Sequence, residues 1–237
     1  MTRSALITFC VATLLFSQTA GSLGLFEGES DVGNPAIKGS AMFDPAKKEY
    51  RVTGAGANIW AKTDEFHFVW KKLSGNVRLT ATMRFVGTSA AEHRKAGLML
   101  RKSLEPGSPY VDAVVHGNGL TELQFRETAD DITRGFRFPV VAPARIALEK
   151  RGNVFSLWEA KEGEPLREAG SVQMPLNGEL YAGLFLSSHN EKISESVVFS
   201  DVNIEMGRSQ PSSLPLQAQF RGPGLRRRCA AQQSCDQ

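Results

Sequence analysis

The feature that most constrains the fold of this chain is a strict alternation of apolar and polar residues over positions 76–87. The apolar side chains recur at every second position, and they are Val77, Leu79, Ala81, Met83 and Phe85. An amphipathic helix would instead group its apolar residues at spacings of three and four. The segment therefore predicts a β-strand with one buried face.

Similar alternating runs fill most of the chain. They lie at residues 49–53, 65–71, 96–101, 110–116, 121–127, 144–151, 154–161, 180–188 and 196–204. Turn-forming residues separate the runs, and Gly117-Asn118-Gly119 between two of them is a strong hairpin signal. No long stretch has a helical period. The sequence therefore predicts an all-β domain, a sandwich or a barrel of short antiparallel strands.

Residues 1–22 have the layout of a secretory signal peptide, ahead of a single domain over residues 23–206. Arg3 is followed by an apolar run of 12 residues and then by small residues. That run is shorter than the roughly 20 residues of a membrane-spanning helix. We therefore expect a cleaved leader, no transmembrane segment, and a secreted or periplasmic protein. The alternative is a buried N-terminal strand or helix.

Residues 207–237 differ in composition from the predicted domain. Pro, Gln and Arg dominate there and the alternation stops, which predicts a disordered tail. Cys229 and Cys235 lie in this tail, where they would either close a local disulfide loop or remain free thiols. The chain has a formal charge of +3, to which the tail contributes +4 and the leader +1, so the domain carries −2. This charge argues against nucleic acid as a partner of the domain.

The predicted hairpin places a candidate ligand-binding surface on two neighbouring strands. Polar side chains and one tyrosine share the outer face of these strands, and Arg101 from a third strand joins them. The candidate residues are Arg101, Tyr110, Asp112, His116, Glu122, Gln124 and Arg126. Planar hydrogen-bonding groups beside an aromatic ring suit a sugar, which offers hydroxyl edges and C–H faces. The alternative is an ordinary solvated face of an antiparallel sheet.

Two tryptophans allow a second interpretation of an aromatic segment. Phe66, Phe68 and Trp70 share one face of a predicted strand, and Trp60 lies nearby. Large aromatic residues dominate protein cores, which favours packing as their role. The alternative places Trp60 or Trp70 at the edge of a pocket, where its indole would stack on a sugar ring.

The sequence contains no recognisable catalytic, cofactor or zinc motif. It has no phosphate-binding loop, no G-x-S-x-G and no H-E-x-x-H, so we expect no cofactor and no metal. An acidic group of Glu27, Glu29 and Asp31 with Asn34 offers oxygen ligands for Ca²⁺, but its spacing is not that of an EF-hand. A solvated lead-in to the domain is the alternative for this group.

Several segments, taken in order, resemble the concanavalin A-like lectin/glucanase superfamily. They are residues 56–60, 64–70, 93–101, 108–110, 181–190 and 198–202. More closely, they are similar to the uncharacterised bacterial jelly-roll modules that precede TolB-like β-propellers in secreted proteins. The resemblance covers about residues 25–206 and implies an antiparallel two-sheet jelly-roll β-sandwich with a carbohydrate- or surface-binding role. It supplies no catalytic residues.

Together these observations predict a secreted, non-catalytic, lectin-like module. It would bind a glycan or a cell-envelope polymer on its concave sheet through the seven candidate residues. Two alternatives stay open at this point. One is a module that docks another envelope protein, and the other is a glycoside hydrolase that uses Asp112 and Glu122 as its carboxylate pair.

Overall fold

The computed structural model describes residues 22–62, 64–87, 91–138 and 142–207, and these residues form strands and loops without a helix. The strands are β1 (Gly28–Val32), β2 (Ser40–Asp44), β3 (Glu49–Gly56), β4 (Phe66–Ser74), β5 (Val77–Phe85), β6 (Lys95–Arg101), β7 (Tyr110–His116), β8 (Thr121–Arg126), β9 (Arg134–Phe138), β10 (Arg145–Arg151), β11 (Val154–Ala160), β12 (Arg167–Gln173), β13 (Glu179–Ser187) and β14 (Asn190–Met206). Residues 1–21 of the predicted leader and residues 208–237 of the predicted tail lie outside the described residues. A search of the described residues found no helix of the length and apolarity needed to cross a membrane.

The strands form two antiparallel sheets of seven strands each. The first sheet has the order β1-β4-β13-β6-β7-β8-β9, and the second has the order β12-β11-β10-β5-β14-β3-β2. The predicted hairpin joins β7 to β8, and it pairs Asp112 with Gln124. The predicted antiparallel two-sheet β-sandwich is therefore confirmed.

The main core fills the space between the two sheets. The alternating residues of β5 point into it as expected, with Leu79 and Ala81 fully buried and Phe85 partly buried at its border. Leu98 and Leu184 meet them from the first sheet. Burial of each such side chain contributes about 1.5–3 kcal/mol, so this layer supplies most of the stability.

A second apolar cluster lies on the opposite, outer face of the first sheet. Its buried members are Val32, Ile59, Phe66, Phe68, Met99, Tyr110, Val114 and Phe185. Ile59 belongs to the loop of residues 57–62, which we call the Trp60 loop, and Leu104 packs on the cluster from the loop after β6. Loops therefore cover this face, and the central strands β6, β7 and β8 are buried on both sides. Phe66 and Phe68 are core residues as predicted, but they belong to this outer cluster.

The main core should be sensitive to cavity formation. We expect Leu184→Ala, at a fully buried position, to lower the free energy of unfolding by about 2–5 kcal/mol, as measured by urea denaturation. Ile193→Ala, at a position that is 50% exposed, is the matched control and should change it by less than about 0.5 kcal/mol. Equal effects of the two substitutions would contradict this assignment of the core.

Candidate functional site

The seven candidate residues lie together on the outer face of the first sheet. Register pairs Arg101 with Tyr110, Tyr110 with Arg126, and Asp112 with Gln124 across three neighbouring strands. The loops cover all seven, which are only 0–5% exposed. They form a buried polar layer, and the expectation of an open polar stripe is wrong because loops pack over this face.

Asp64 lies at the centre of one half of this layer. Its carboxylate accepts hydrogen bonds from Arg126 Nη1 at 2.8 Å and Nη2 at 2.7 Å, and Arg101 Nη1 lies 3.6 Å away. Burial raises the pKa of Asp64, while the hydrogen bonds from Arg126 and the charges of both guanidinium groups oppose this shift. Asp64 follows the Trp60 loop, and nothing in the local sequence identifies it as the partner of a residue 62 positions away.

The two arginines of this half hold the loops in place. Arg126 also donates to the carbonyl oxygens of Ala61 at 2.7 Å and Asp131 at 2.8 Å. Arg101 donates to the carbonyl oxygen of Glu105 at 2.6 Å, and burial lowers the pKa of Arg101 to about 10. The Tyr110 hydroxyl is 3.0 Å from the Thr133 hydroxyl. These contacts give Arg101, Tyr110 and Arg126 a structural role, because their polar atoms are already bound within the protein.

Lys95, which the candidate set omits, lies in the other half of the layer. Its Nζ donates to the Ile59 carbonyl oxygen at 2.7 Å, to Asn58 Oδ1 at 3.0 Å and to Gln124 Oε1 at 3.5 Å. Burial lowers the pKa of Lys95 to about 8, although the carboxylates of Asp112, Glu122 and Asp64 oppose this shift. Lys95 and Arg101 are separated by an even number of positions on β6, so their side chains lie on the same face of the strand. This alternation could have identified Lys95 as a member of the polar layer.

Glu122 is the most strongly bound acid of this half. Its carboxylate accepts hydrogen bonds from Gln124 Nε2 and, at 2.8 Å, from Arg137 Nε, while His116 Nε2 lies 3.5 Å away. Burial alone would raise the pKa of Glu122. The interactions with His116, Gln124 and Arg137 outweigh burial and lower it to about 2.

Asp112 and His116 are buried without side-chain partners in good hydrogen-bond geometry. Among the described residues, neither carboxylate oxygen of Asp112 and neither ring nitrogen of His116 forms a side-chain hydrogen bond. Burial raises the pKa of Asp112 well above its ordinary range, and it lowers the pKa of His116. With exposures of 0% and 5%, Asp112 and His116 lie beneath the surface that a ligand could reach.

The accessible part of the layer lies at Trp60 and the edge strand β9. Trp60 is 41% exposed, so it is not the core residue that the packing interpretation predicts. Gly135 of β9 pairs with Gln124, and a Cβ atom built on Gly135 would lie 3.6 Å from Trp60 Cζ3 and 3.6 Å from Glu122 Oε2. The same Cβ atom would lie only 3.3 Å from Gln124 Cγ, so the glycine allows these groups to lie close together. We call the surface formed by Trp60, Glu122, Gln124, Gly135 and Arg137 the Trp60 shelf. The Arg137 side chain is 76% exposed.

The acidic residues of the lead-in and Trp70 form side-chain hydrogen bonds away from the polar layer. His67 lies between the acidic residues of the lead-in, with Nδ1 2.8 Å from Asp31 Oδ1 and Nε2 3.1 Å from Glu29 Oε2. Trp70 is half-buried and donates to Ser30 Oγ at 3.2 Å. In the described part of the chain, no three acidic, histidine or cysteine side chains are arranged to hold a metal ion. The structure therefore gives no support to a Ca²⁺ site at Glu27, Glu29, Asp31 and Asn34.

Comparisons with known proteins define the fold further. No protein-family model matches the chain, and no curated protein matches it. A functionally unknown protein from Saccharomyces cerevisiae aligns with a TM-score of 0.57 at 13% identity, over 76% of this chain and 97% of that chain. Rv0315 of Mycobacterium tuberculosis, described as an immunostimulatory antigen and pseudo β-1,3-glucanase, aligns with a TM-score of 0.50 at 12% identity, over 76% of this chain and 91% of that chain.

The fold is an antiparallel two-sheet jelly-roll β-sandwich, and membership of the concanavalin A-like superfamily stays a prediction. The two-sheet architecture confirms the predicted fold class. At these low identities the likeness establishes the fold alone, and the kinship with propeller-linked bacterial modules stays a prediction.

Removal of the buried carboxylate should destabilise the domain. We expect Asp64→Asn to lower the free energy of unfolding by about 3–5 kcal/mol, because it leaves the Arg126 and Arg101 guanidinium groups buried without their counter-charge. Asp44→Asn is the control, since Asp44 pairs with Lys47 on the surface, and it should cost less than about 1 kcal/mol. Urea denaturation of both variants tests this, and a small loss for Asp64→Asn would refute the anchoring role.

Glu122 should make stability depend on acid pH. Because its folded pKa of about 2 lies below the ordinary value of 4.5, its stabilisation is present above pH ~4.5 and is lost as the pH falls toward 2. Glu122→Gln should remove on the order of 2–3 kcal/mol of this acid dependence, as measured by urea denaturation between pH 6 and 2. Glu162→Gln, at an exposed position, should retain the wild-type profile. Parallel profiles for Glu122→Gln and wild type would exclude this role.

Proposed function

We propose that this chain is a secreted, non-catalytic, glycan-binding module that receives a sugar ring on the Trp60 shelf. The observation that carries the proposal is the 41% exposed indole of Trp60 beside the exposed edge strand β9, where Gly135 carries no side chain. An exposed aromatic face next to polar groups is a surface on which an apolar ligand face can stack. The C–H face of a sugar ring would cover the indole.

The polar border of the shelf supports this class of ligand. Glu122 is nearly buried, and its carboxylate fixes the position of Arg137 by accepting a hydrogen bond from Nε at 2.8 Å. Arg137 binds Glu122 through Nε, and its largely exposed guanidinium group offers further donors at the same border. An aromatic face beside a few oriented polar groups matches the usual composition of a small-ligand site.

Only two of the seven predicted residues, Glu122 and Gln124, belong to the Trp60 shelf. Arg101, Tyr110 and Arg126 instead hold the loops, and Asp112 and His116 lie behind the shelf. Trp60, Gly135 and Arg137 replace those five residues as the ligand-facing groups. Arg126→Ala is therefore a test of folding, because Arg126 neutralises buried Asp64.

The burial of the carboxylate pair supports a role in binding without catalysis. Asp112 and Glu122 share the outer face but are only 0% and 3% exposed. A glycoside hydrolase needs both carboxyl groups at the scissile bond, one on each side of the reacting carbon. The description of Rv0315 as a pseudo β-1,3-glucanase is compatible with this fold existing without hydrolysis. Secretion rests on the leader sequence alone.

Replacement of the indole should abolish most of the glycan binding. We expect wild-type protein to retain at least one polysaccharide on an array that includes soluble β-1,3-glucan. Trp60→Ala should weaken that binding by tenfold or more in calorimetric titration, because the stacking surface is lost. Trp158→Phe is the matched control, since Trp158 lies on the second sheet and contacts Arg78, and it should bind as wild type does.

Two outcomes would contradict the proposal. One is the absence of binding to every polysaccharide on the array, in which case co-purification with an envelope protein would favour a docking module. The other is equal binding by wild type and Trp60→Ala, which would place the site elsewhere. Circular dichroism of each variant shows whether the fold is retained.

A further inference from the structure

Lys95 connects the first sheet to the loop that presents Trp60. It is the first residue of β6, pairs with His116 on one side and Ser187 on the other, and is only 3% exposed. Two of its three acceptors, Asn58 Oδ1 and the Ile59 carbonyl oxygen, belong to the two residues that precede Trp60. Its Nζ also lies 5.4 Å from the centre of the Trp60 ring.

The cost of burying this amino group indicates a specific requirement for it. A buried ammonium group loses its hydration, and the protein must replace the lost hydrogen bonds. Here the replacement is directed at the Trp60 loop, because the 2.7 Å bond to Ile59 is much shorter than the 3.5 Å contact with Gln124 on the sheet. The amino group therefore stabilises the loop conformation in which the indole forms part of the shelf.

We propose that Lys95 is a positioning residue for the Trp60 shelf and that ligand affinity depends on its amino group. The proposal rests on the proposed function. The Lys95 amino group lies beneath the indole and is itself buried, so Lys95 acts through Trp60 and makes no contact with the sugar.

A consequence is that the position of Trp60 depends on alkaline pH. The groups that face Lys95 are Asp112 and His116 of β7, Glu122 and Gln124 of β8, Ser187 of β13, Asp64, and Asn58, Ile59 and Trp60 of the loop. Burial lowers the pKa of Lys95 to about 8, so the group loses its proton as the pH rises through that value. Loss of the charge weakens the bonds to the loop and changes the electric field at the indole.

The first experiment needs no ligand. Tryptophan fluorescence is recorded from pH 6 to 10 for wild type and for Trp60→Phe, and their difference reports Trp60. The fluorescence of the double variant Lys95→Met/Trp60→Phe is likewise subtracted from that of Lys95→Met, which reports Trp60 in the absence of the Lys95 amino group. We expect a transition near pH 8 in the wild-type difference and none in the Lys95→Met difference.

Two controls separate this effect from a general effect of charge. Lys95→Arg keeps a positive charge throughout this pH range, so it should lack the transition and retain the neutral-pH signal of wild type. Lys72→Met removes another lysine beside an aromatic ring of the first sheet, 5.2 Å from the centre of Tyr181, and should titrate as wild type does. A transition that persists in Lys95→Met, or that is absent from wild type, overturns the proposal.

The second experiment measures affinity for the polysaccharide that wild type retains most strongly on the array. We expect wild-type affinity to fall several-fold between pH 7 and 9.5. Lys95→Met should bind tenfold or more weakly at pH 7 without that pH dependence, and Lys95→Arg should recover part of the affinity. Equal affinity of Lys95→Met and wild type at pH 7 overturns the dependence of binding on Lys95.

The two proposals fail in distinguishable ways. If no polysaccharide binds but the fluorescence transition requires Lys95, the proposed function falls and the positioning of Trp60 by Lys95 stands. If binding requires Trp60 but the transition does not require Lys95, the proposed function stands and this inference falls. If Lys95→Met does not fold, the wild-type and Lys95→Arg titrations still decide the question.

Discussion

The outer face of the first sheet depends on the buried ion pair between Asp64 and Arg126. Transfer of both charges from water is expensive, and a pair in the interior is stable only when its remaining hydrogen-bonding capacity is used. Arg126 meets this condition with two bonds to Asp64 and further bonds to the carbonyl oxygens of Ala61 and Asp131. The pair thereby ties the Trp60 loop and the loop after β8 to the sheet, and it closes the second apolar cluster.

The Trp60 shelf lies where the loops that cover the outer face of the first sheet end. The loops bury Phe66, Met99 and Phe185 at the middle of the first sheet, whereas β9 at its edge remains exposed. Trp60 lies at this border, with its carbonyl oxygen bound by the Thr133 amide at 2.9 Å and its ring beside Gly135. The cover therefore creates a partly exposed aromatic surface next to fixed polar groups, without needing a deep cavity.

The alternation in the sequence predicted ten of the fourteen strands and their faces, because a strand has a fixed period of two, but it missed β1, β2, β9 and β12. It placed Leu79 in the core, and it placed Asp112, Glu122 and Gln124 on the outer face. It could not predict burial of that face, since burial depends on loops whose contacts span large sequence separations, as between Asp64 and Arg126. The close approach of Trp60 and Gln124 to Gly135 could not be predicted either, because it depends on which side chains surround the glycine in space.

The two halves of the polar layer differ in the chemistry of their cations, and this difference has a physical consequence. Against the effect of burial, interactions with Asp64 raise the pKa of Arg126, and burial lowers the pKa of Arg101 only to about 10, so both anchors keep their charge at the pH at which Lys95 loses its proton. An ammonium group is more readily deprotonated when it is buried, and burial lowers the pKa of Lys95 to about 8. The part of the cover that seals the apolar cluster therefore keeps its charges near pH 8. The part next to Trp60 is held by a group that titrates, so the orientation of the indole can change while the sandwich remains folded.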